Sequence, residues 1–377
     1  MKNHDIRNKH FNNLLKNPNL KWMGQNTNHI PSHSYIIDEM IKSIKDEEFH
    51  AYAPPLGLEE LRERTIEHIG LNDQTAMISD GAVSGLFNIC KLLCSNGNEL
   101  ITTDPTWIWP VHFTISAGSK VTQIPIYGKE YNFTLQADRL KNNLHSKIGI
   151  LYLVDPNNPL GTVISEQEAK KIAEICKAND IIIIHDCTYR DFADNHTLIS
   201  KYYPEKTITI WSFSKWLGMA GMRVGAVVAS ESMMEEIAKY PPNILGSNLV
   251  SQRGAIAGLK IKNEWFPEVN RIQKNNQKRI FDKIYSIEEL SMPIYPSQSN
   301  FIILEVNDPN LTPESLSYVF SNKGILIRQG SYHTKTFGHK FIKVSLSVPE
   351  DWVSEFIELL PDSIIEAKKI KNIPELF

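Results

Sequence analysis

A lysine set between hydroxyls and an arginine stands in the segment Ser212-Phe213-Ser214-Lys215-Trp216-Leu217-Gly218-Met219-Ala220-Gly221-Met222-Arg223-Val224-Gly225. A lysine whose amine is kept deprotonated forms Schiff bases with carbonyl compounds. Ser212 and Ser214 come just before Lys215, and Arg223 comes eight residues after it. Their hydroxyls and guanidinium can bind a phosphate group. The segment indicates a site for an aldehyde that carries a phosphate.

Charge, hydropathy and the N-terminal segment argue against several kinds of partner. The 377 residues carry 40 Lys and Arg against 43 Asp and Glu and contain no long basic block, so no nucleic-acid partner is predicted. The longest apolar runs, at residues 181–184 and 224–229, are too short to span a bilayer, and residues 1–7 have no apolar segment of signal-peptide type. We therefore expect a cytoplasmic protein with no membrane contact.

The cysteines indicate packing and not cross-linking or metal binding. The chain has four of them, Cys90, Cys94, Cys176 and Cys187, and no C-x-x-C pair. Four cysteines in a chain of this length do not form a disulfide framework. Cys90 and Cys94 fall on the apolar face of a predicted helix, where core packing explains them. The sequence predicts no metal site.

From about residue 75 to residue 230, short apolar runs alternate with helical patterns, which is typical of a mainly parallel sheet covered by helices on both faces. One helix is predicted to begin after Gly81 and to end near residues 96–97. Another begins at Ser165, where Glu168 completes a capping box, and reaches about Ala178. The predicted strands are residues 75–78, 99–102, 148–154, 181–185, 207–211 and 224–229.

The pattern changes around residues 241–248. A long polar helical stretch is predicted from about residue 250 towards residue 287. It is followed by predicted strands at residues 300–306, 324–328 and 341–346 and by helices near residues 313–322 and 352–360. We predict an α/β chain with a large domain at residues 30–245 and a smaller α+β domain, formed by residues 1–29 together with 246–377.

Polar residues that follow the predicted strands are the first candidates for a site, because ligands of open α/β sheets bind beyond the carboxyl ends of the strands. Asp186 follows the strand at residues 181–185, and Tyr189 comes three residues later. A buried carboxylate in so apolar a setting needs a cationic partner, although capping of a following helix is an alternative role for Asp186. Asn158, after the strand at residues 148–154, has an amide that can donate to an ionised hydroxyl, while a purely structural Asn-Pro turn explains that stretch equally well.

Two further loops fit a phosphorylated heteroaromatic ligand. The loop around Gly81 joins a strand to a helix, and the backbone amides of Ala82 and Val83 at that helix start can bind phosphate. Trp107 follows another strand and can stack on a heteroaromatic ring. Trp109 is an alternative to Trp107, and either can instead belong to the core.

Together these segments resemble the fold-type I pyridoxal-phosphate enzymes of the aminotransferase class I/II family, and most of all its histidinol-phosphate and aspartate aminotransferase subgroups. The segment around Lys215 is similar to the family pattern S-x-S-K-x-x-G-x-x-G-x-R-x-G, Asp186 and Tyr189 to D-x-x-Y, and Asn158 to the turn N-P-x-G. The resemblance extends from about residue 52 to residue 346. It implies a mainly parallel seven-stranded sheet in the large domain and a smaller α+β domain.

The resemblance also implies roles for the candidate residues. Lys215 would hold pyridoxal 5'-phosphate as an internal aldimine, and Asp186 would face the pyridine nitrogen. Tyr189 and Asn158 would contact the ring hydroxyl, and Trp107 would stack on the ring. The phosphate would be held by Ala82, Val83, Ser212, Ser214 and Arg223.

Tyr52 carries an implication about assembly. It opens the segment Tyr52-Ala53-Pro54-Pro55-Leu56-Gly57-Leu58-Glu59-Glu60-Leu61-Arg62, which resembles the family's Y-x-x-x-x-G-x-x-x-L-R. In relatives this tyrosine reaches the cofactor phosphate of the partner subunit. The resemblance therefore implies a homodimer with composite sites.

The chain departs from the family where the substrate carboxylate is held. Many relatives have an arginine in the last strand, in F-I-R-V-S, and this chain has Lys343 there. A lysine is a point charge without the planar fork of a guanidinium, so the change is not conservative. Three explanations are open: Lys343 holds the substrate carboxylate less strictly, Arg328 takes over that role, or the substrate is unusual. The segment around Asn26 matches the stretch that lies over the substrate in relatives, and a solvated loop is the alternative for it.

We expect a homodimeric aminotransferase that moves an amino group between an amino acid and a 2-oxo acid through Lys215. A decarboxylase, lyase or oxidase of amino acids on the same fold is the alternative, made more credible by Lys343. A non-catalytic sensor fused to a DNA-binding module is not expected, because the segment before Tyr52 has no room for a basic helix-turn-helix.

Overall fold

The structure, a computed structural model, describes residues 3–94, 97–239, 241–370 and 372–374. The strands are β1 (Lys21–Trp22), β2 (Thr75–Ser79), β3 (Glu99–Asp104), β4 (Val121–Pro125), β5 (Ile148–Val154), β6 (Ile182–Asp186), β7 (Thr207–Ser212), β8 (Gly225–Ala229), β9 (Leu290–Ser291), β10 (Phe301–Val306), β11 (Ile325–Leu326), β12 (Arg328–Gln329) and β13 (Phe341–Ser345). The helices are α1 (Asn3–Leu15), α2 (Ser34–Lys45), α3 (Glu59–Ile69), α4 (Ala82–Cys94), α5 (Trp109–Ser116), α6 (Ala137–Asn142), α7 (Glu166–Ala178), α8 (Glu231–Ala238), α9 (Leu249–Lys260), α10 (Lys262–Ile284), α11 (Pro313–Asn322) and α12 (Glu350–Ala367). No helix within the described ranges is both long and apolar enough to cross a membrane.

The central element is a seven-stranded sheet with the order β2-β8-β7-β6-β5-β3-β4. Strand β8 runs antiparallel to both of its neighbours, and the other adjacent pairs are parallel. The predicted α/β class with a mainly parallel sheet is confirmed. The carboxyl ends of β2, β3, β5, β6 and β7 therefore lie at one edge, where β8 begins.

The sequence did not indicate β4. This strand pairs only with β3, at the edge of the sheet, and four of its five residues are at least partly exposed. An edge strand with one face uncovered lacks the continuous apolar run that marks the inner strands of a parallel sheet. Its sequence, Val-Thr-Gln-Ile-Pro, is correspondingly polar.

Helices cover both faces of the sheet, as the alternating side chains of β8 show. Ala226 and Val228 pack into a core with Trp211 and with helices α3 and α9, while Val227 and Ala229 pack on the opposite face with α4. Every residue of β8 is buried. A strand buried on both faces has to be apolar throughout, which is why this run stands out in the sequence. Cys90 and Cys94 lie in the α4 core, as predicted.

A second, four-stranded sheet has the order β12-β13-β10-β9 and packs against α11, α12 and the end of α10. The long helix predicted at residues 250–287 is in fact two helices, which meet at Ile261. The strand predicted at residues 324–328 is divided into β11 and β12, and α12 extends beyond its predicted end at residue 360. Helix α10 contributes Phe266 to the core of the large sheet and Ile280 to the core of the small one, so it links the two. The division into domains at residue 245 remains a prediction.

The predicted capping box at the start of α7 is half wrong. The Ser165 hydroxyl accepts from the backbone N–H of Glu168 at 3.3 Å, as a capping residue does. The Glu168 carboxylate, however, accepts from the backbone N–H of Ala137 at 2.6 Å and from Lys171 at 3.0 Å. These partners draw the carboxylate away from the Ser165 backbone, so α6 and α7 are joined instead.

Candidate active site

A cavity of about 400 Å³ opens at the edge of the large sheet where the parallel strands end. It brings together most of the predicted site residues, from both the large and the small sheet. Those lining it are Asn26, Ala82, Val83, Trp107, Asn158, Asp186, Tyr189, Ser212, Ser214, Lys215, Arg223, Arg328 and Lys343. Its size is within the range of small-molecule sites.

Lys215 lies in the turn directly after β7 and lines the cavity. Its Nζ donates to the backbone oxygen of Gln25 at 3.1 Å. Burial and, to a smaller extent, the charge of Arg223 lower the pKa of Lys215 to about 8, although the carboxylate of Asp186 opposes the shift. A substantial fraction of the amine is therefore neutral near physiological pH, which is the form that attacks a carbonyl.

Asp186 is the last residue of β6 and lies at the floor of the cavity. Its Oδ1 accepts from the backbone N–H of Thr188 at 3.1 Å, and its Oδ2 accepts from the Tyr152 hydroxyl at 3.2 Å. Burial raises the pKa of Asp186 in spite of these hydrogen bonds and of the charge of Lys215. The short 3-10 helix at Arg190–Phe192 has no side-chain cap, so Asp186 does not serve as a helix cap. A buried carboxylate of this kind is stabilised by a cationic partner.

Three amide and hydroxyl groups meet beside Asp186. The Tyr189 hydroxyl oxygen accepts from Asn26 Nδ2 at 3.1 Å and from Asn158 Nδ2 at 3.2 Å. Asn26 has a left-handed backbone, with φ 56°, and its N–H donates to Ser345 Oγ at 2.8 Å, which ties it to β13. Burial raises the pKa of Tyr189, so its hydroxyl keeps its proton and can donate it to a ligand.

The loop that contains Asn158 is anchored by a buried carboxylate and two histidines. The Asp155 carboxylate lies 3.7 Å from His185 Nε2 and 3.2 Å from His196 Nε2, and its Oδ1 accepts from the Ile164 N–H at 3.0 Å. Burial alone would raise the pKa of Asp155, but the hydrogen bonds and charges of the two histidines lower it to about 2. The loop is thus anchored three residues before Asn158.

The start of α4 and the turn at Arg223 form one end of the cavity. Arg223 has φ 54°, a strained backbone for a non-glycine residue, and its guanidinium donates to the Ala220 oxygen at 2.8 Å. A Cβ on Gly81 would meet that guanidinium, and a Cβ on Gly225 would meet the Ala82 backbone nitrogen. Only glycines therefore allow the guanidinium to approach the helix start. Exposed backbone N–H groups, the helix dipole and a guanidinium together make an anion site.

The structure separates the two candidate tryptophans. Trp107 lines the cavity and is half-buried against the α4 core. Trp109 instead donates from Nε1 to the Tyr332 hydroxyl at 3.4 Å and lies beneath the guanidinium of Arg7, 4.6 Å from the ring centre. Trp107 is thus the one of the two tryptophans that lines the cavity.

The opposite end of the cavity is cationic. Arg328 and Lys343 face each other across β12 and β13, and 4% and 3% of their surfaces are exposed. Lys343 Nζ donates to Asn158 Oδ1 at 3.4 Å, while the Arg328 guanidinium lies 4.5 Å from the centre of the Tyr332 ring. Burial lowers the pKa of both groups, and for Lys343 the nearby charges of Arg328 and Lys215 add to the effect. Placing an anion between them would relieve that cost.

Sequence reasoning missed several lining residues: Arg7, Phe11, Thr188, Tyr332 and His333. Arg7 and Phe11 are one turn apart on α1, and their spacing is the only sequence signal of a shared face. Thr188 could have been found, because an Asp two residues earlier is typical of an Asx turn. Tyr332 and His333 follow β12 and come to the cavity only through the pairing of β12 with β13.

Two predicted residues do not line the cavity. Gly81 lies next to it, since a Cβ at this position would meet the Arg223 guanidinium. Tyr52 is 78% exposed on the surface, so its side chain has no part in the cavity of its own chain.

Comparisons with known proteins agree with this arrangement. The profile of the family described as aminotransferase class I and II matches residues 18–360. An aspartate aminotransferase of Pyrococcus horikoshii is 24% identical over 347 residues, 88% of each chain, and histidinol-phosphate aminotransferase 1 of Bacillus cereus is 26% identical over 319 residues, 82% of this chain and 80% of that protein.

Solved structures show the same fold. An aromatic aminotransferase from Pyrococcus horikoshii superposes with a TM-score of 0.82 at 23% identity, over 95% of this chain and 100% of that one. Aspartate aminotransferase from Thermus thermophilus, with maleate, superposes with a TM-score of 0.80 at 17% identity over 91% of each chain. With a family match over most of its length, the chain belongs to the aminotransferase class I and II family and is a fold-type I, pyridoxal-phosphate-dependent aminotransferase.

Proposed function

We propose that this enzyme moves an amino group between an amino acid and a 2-oxo acid, with Lys215 as the residue that binds the cofactor and transfers the proton. The observation that carries the proposal is the amine of Lys215, which lies in the cavity near Asp186 and Arg223 and has a pKa of about 8. At that pKa the amine exchanges protons readily near neutral pH.

The residues present fit pyridoxal phosphate. Asp186 is a buried carboxylate whose pKa is raised, and a protonated pyridine nitrogen would be its cationic partner. The α4 start with Arg223, Ser212 and Ser214 would hold the phosphate, and Trp107 would cover the ring. Bound there, the cofactor supplies an electron sink for the negative charge that develops at the substrate Cα.

The proton transfer is assigned to Lys215. In our proposal its neutral Nζ takes the proton from the substrate Cα and delivers it to the cofactor carbon. Tyr189 accepts hydrogen bonds from the amides of Asn26 and Asn158. It would donate its own hydroxyl proton to the ring hydroxyl of the cofactor and so keep the ring positioned beside Nζ of Lys215. Asp186 stays ionised and orients the ring.

We assign the substrate α-carboxylate to Lys343. Its Nζ is 3.4 Å from Asn158 Oδ1, so it stands next to the residues proposed for the ring hydroxyl, whereas Arg328 is drawn to the Tyr332 ring. Lys343 occupies the position where many relatives have arginine. The ammonium of Lys343 can bind one carboxylate oxygen and a neighbouring amide the other. Such a pair holds a carboxylate less rigidly than the planar fork of a guanidinium does.

A homodimer is also proposed. Several large apolar side chains are exposed in or just after α2, close in sequence to Tyr52: Ile37, Ile41, Ile44 and Phe49. Ile244 and Leu245 are exposed as well, next to Gly246, where an added Cβ would meet the backbone of Ala53 and Pro54. Contiguous exposed apolar surface marks interaction sites. A partner packed there would cover these side chains, and Tyr52 could then extend to the partner's phosphate site. The cytoplasmic location remains a prediction.

The test is a screen of amino donors against the purified holoenzyme. Conversion of the bound cofactor from its aldehyde to its amine form, together with release of a 2-oxo acid, is expected for at least one donor. Lys215→Ala should remain folded and show no turnover. Release of carbon dioxide or of an elimination product without a 2-oxo acid would instead favour the alternative made credible by Lys343.

A further inference from the structure

Two histidines and a cysteine lie together on the face of β6 opposite to Asp186. Side chains alternate along a strand, so His185 and Cys187 point away from Asp186 and from the cavity. His196 comes from the segment after the 3-10 helix at Arg190–Phe192 and stacks on His185, with ring centres 5.4 Å apart. One ring nitrogen of each histidine and the Cys187 sulfur lie within 4.8 Å of one another.

The surroundings of His196 determine which of its nitrogens carries a proton. Nε2 lies 2.9 Å from the backbone oxygen of Asp155 and 3.2 Å from Asp155 Oδ2. Both partners are acceptors, so Nε2 donates, and Nδ1 of the neutral ring has a lone pair. Nδ1 is buried, and no group in the described part of the chain forms a hydrogen bond with it. Metal-binding histidines are commonly supported in this way, by a carboxylate on the other ring nitrogen.

His185 is fully buried and has no close hydrogen-bond partner. The Ile199 N–H is 3.5 Å from its Nδ1, and Asp155 Oδ2 is 3.7 Å from its Nε2, so both distances are longer than a normal hydrogen bond. Buried polar atoms without partners are costly and rare in folded proteins. Apolar packing explains a buried cysteine, but it does not explain two buried histidines with unused nitrogens. A cation that accepts their lone pairs would satisfy them.

The separations suit a tetrahedral metal ion. Ligand atoms about 2.0–2.3 Å from Zn²⁺ lie roughly 3.3–3.8 Å from one another, so the group has to contract by about 1 Å at most. Two imidazoles and a thiolate favour Zn²⁺ over Ca²⁺ and Mg²⁺, which prefer oxygen ligands. His196 also lines a second cavity, of about 450 Å³, through which an ion can enter.

We propose that His185, Cys187 and His196 bind Zn²⁺, with Asp155 orienting the His196 ring and water in the fourth coordination position. Cys187 binds as the thiolate and releases its proton to solvent. The ion takes no part in amino transfer, because it lies on the other face of β6 from the cavity. It fastens the end of β6, which carries Asp186, to the segment around His196. The inference goes beyond the proposed function and does not depend on it.

The spacing of these residues explains why the sequence did not predict the site. His185 and Cys187 are two residues apart, and His196 follows nine residues after the cysteine. Common zinc sites are marked by pairs of cysteines two to four residues apart, and this chain has only one cysteine near the histidines. The stacking of His196 on His185 is a tertiary contact.

The experiment measures zinc in the holoenzyme. The protein is dialysed against EDTA, loaded with ZnCl₂ and freed of unbound metal by gel filtration. Mass spectrometry then gives the metal content, and competition with a chromophoric chelator gives the affinity. The parent protein should retain about one zinc ion per chain. Cys187→Ala should bind zinc about a hundredfold or more less tightly, because a ligand is lost.

Cys176→Ala is the matched control. Cys176 is also fully buried, but it packs in the apolar core between α7 and β5. This variant should bind zinc as the parent protein does. Equal retention by Cys187→Ala and Cys176→Ala, or a parent protein that retains no zinc, overturns the proposal.

A second variant covers the case in which Cys187→Ala does not fold. His196→Gln should also lose zinc, and His112→Gln, at an exposed histidine on α5, should not. Loading with Co²⁺ reports on the sulfur directly, since tetrahedral Co²⁺ with a thiolate ligand has visible absorption bands at longer wavelengths than the cofactor. These bands should be present in the parent protein and in Cys176→Ala, and their absence from both would exclude Cys187 as a ligand.

Thermal unfolding gives a readout that is independent of activity. Zinc that binds the folded chain should raise the Tm of the parent protein and of Cys176→Ala, and it should leave the Tm of Cys187→Ala unchanged. An equal rise in all three would show that zinc binds elsewhere. Since no amino donor enters these measurements, failure of the metal site and failure of the proposed amino transfer are seen separately.

Discussion

Lys215 illustrates how burial sets the chemistry of a single residue. An exposed lysine is almost entirely protonated at neutral pH, whereas here desolvation and the charge of Arg223 bring the pKa from 10.5 to about 8. The neutral amine needed for catalysis is obtained at the expense of stability, because the folded chain holds the charged form in an unfavourable place.

Lys215→Met is predicted to stabilise the apoenzyme at pH 7. A shift from 10.5 to about 8 corresponds to roughly 3 kcal/mol at about 1.4 kcal/mol per pKa unit, and this cost is present in full below pH 8. Between pH 8 and 10.5 the unfolded lysine binds more protons than the folded one, so the unfolding free energy of the parent protein rises with pH in that window. The advantage of the variant should therefore shrink from pH 8 to 10.5.

Urea unfolding of both apoproteins at pH 7 and at pH 10 measures the effect. The difference in unfolding free energy between the two proteins at each pH cancels the changes that pH causes elsewhere in the chain. A difference in unfolding free energy that is independent of pH would contradict the assigned pKa of Lys215.

Asp186→Asn is predicted to slow Cα proton abstraction about a hundredfold or more. The amide retains the shape of the carboxylate. Its oxygen can still accept from the Thr188 N–H, and its Nδ2 can donate to the Tyr152 hydroxyl oxygen, but it cannot keep a pyridine nitrogen protonated. Exchange of the α-proton of a bound amino acid with deuterium gives the rate directly. Unchanged exchange would reduce Asp186 to a structural residue.

At the scale of elements, the start of α4 depends on glycines that permit close approach. Gly81 has φ 76°, and a Cβ there would meet the Arg223 guanidinium. Helix α4 also packs against β7 and β8, and the turn between these two strands contains Lys215 and Arg223. One displacement of this helix start would therefore disturb several proposed phosphate ligands at once.

Gly81→Ala is predicted to weaken retention of the cofactor, and Gly70→Ala is its control. Both glycines have left-handed backbones, with φ 76° and 79°, so each substitution should cost about 1–2 kcal/mol of stability. A Cβ at Gly70 meets nothing within 4 Å. Dialysis followed by measurement of the cofactor still bound should show loss in Gly81→Ala alone, and equal loss in both would place the phosphate elsewhere.

At the scale of the whole molecule, the exposed isoleucines of α2 are the feature that a lone chain does not explain. Ile37, Ile41 and Ile44 share the outer face of this helix, while Ile36 on the inner face is buried. The helix packs on α9 and so presents this apolar face from a rigid support. Such a face is expected to be covered in solution.

Ile41→Asp is predicted to convert a dimer into monomers and to lower the amount of bound cofactor, since Tyr52 would no longer reach the partner's site. Ile365→Asp is the control, because Ile365 is 54% exposed on α12 and Ile41 is 43% exposed on α2. Sedimentation velocity gives the mass of each variant. A parent protein that is already monomeric would refute the proposed assembly.

The strands and the turn around Lys215 could be predicted because the residues that determine each of them lie in one short segment of the sequence. The five inner strands of the large sheet are covered on both faces, which favours continuous apolar runs, and all five are present as predicted, together with the predicted edge strand β2. The carboxyl ends of β5, β6 and β7 lie at one edge, so Asn158, Asp186 and Lys215, which follow or end these strands, could be grouped as neighbours from sequence position. The lysine segment also combined hydroxyls, glycines and an arginine whose chemistry is independent of distant parts of the chain.

The sequence by itself thus determined the fold class, the family and the cofactor end of the site, because strand burial and turn chemistry act between near neighbours. Tertiary structure decided the rest. The approach of α1, which brings Arg7 to the cavity, and the register of β12 with β13, which sets Arg328 against Lys343, arise from packing between segments more than 300 residues apart or from strand pairing. Local periodicity does not encode such contacts, since many arrangements bury the same apolar faces and only the complete core selects one of them.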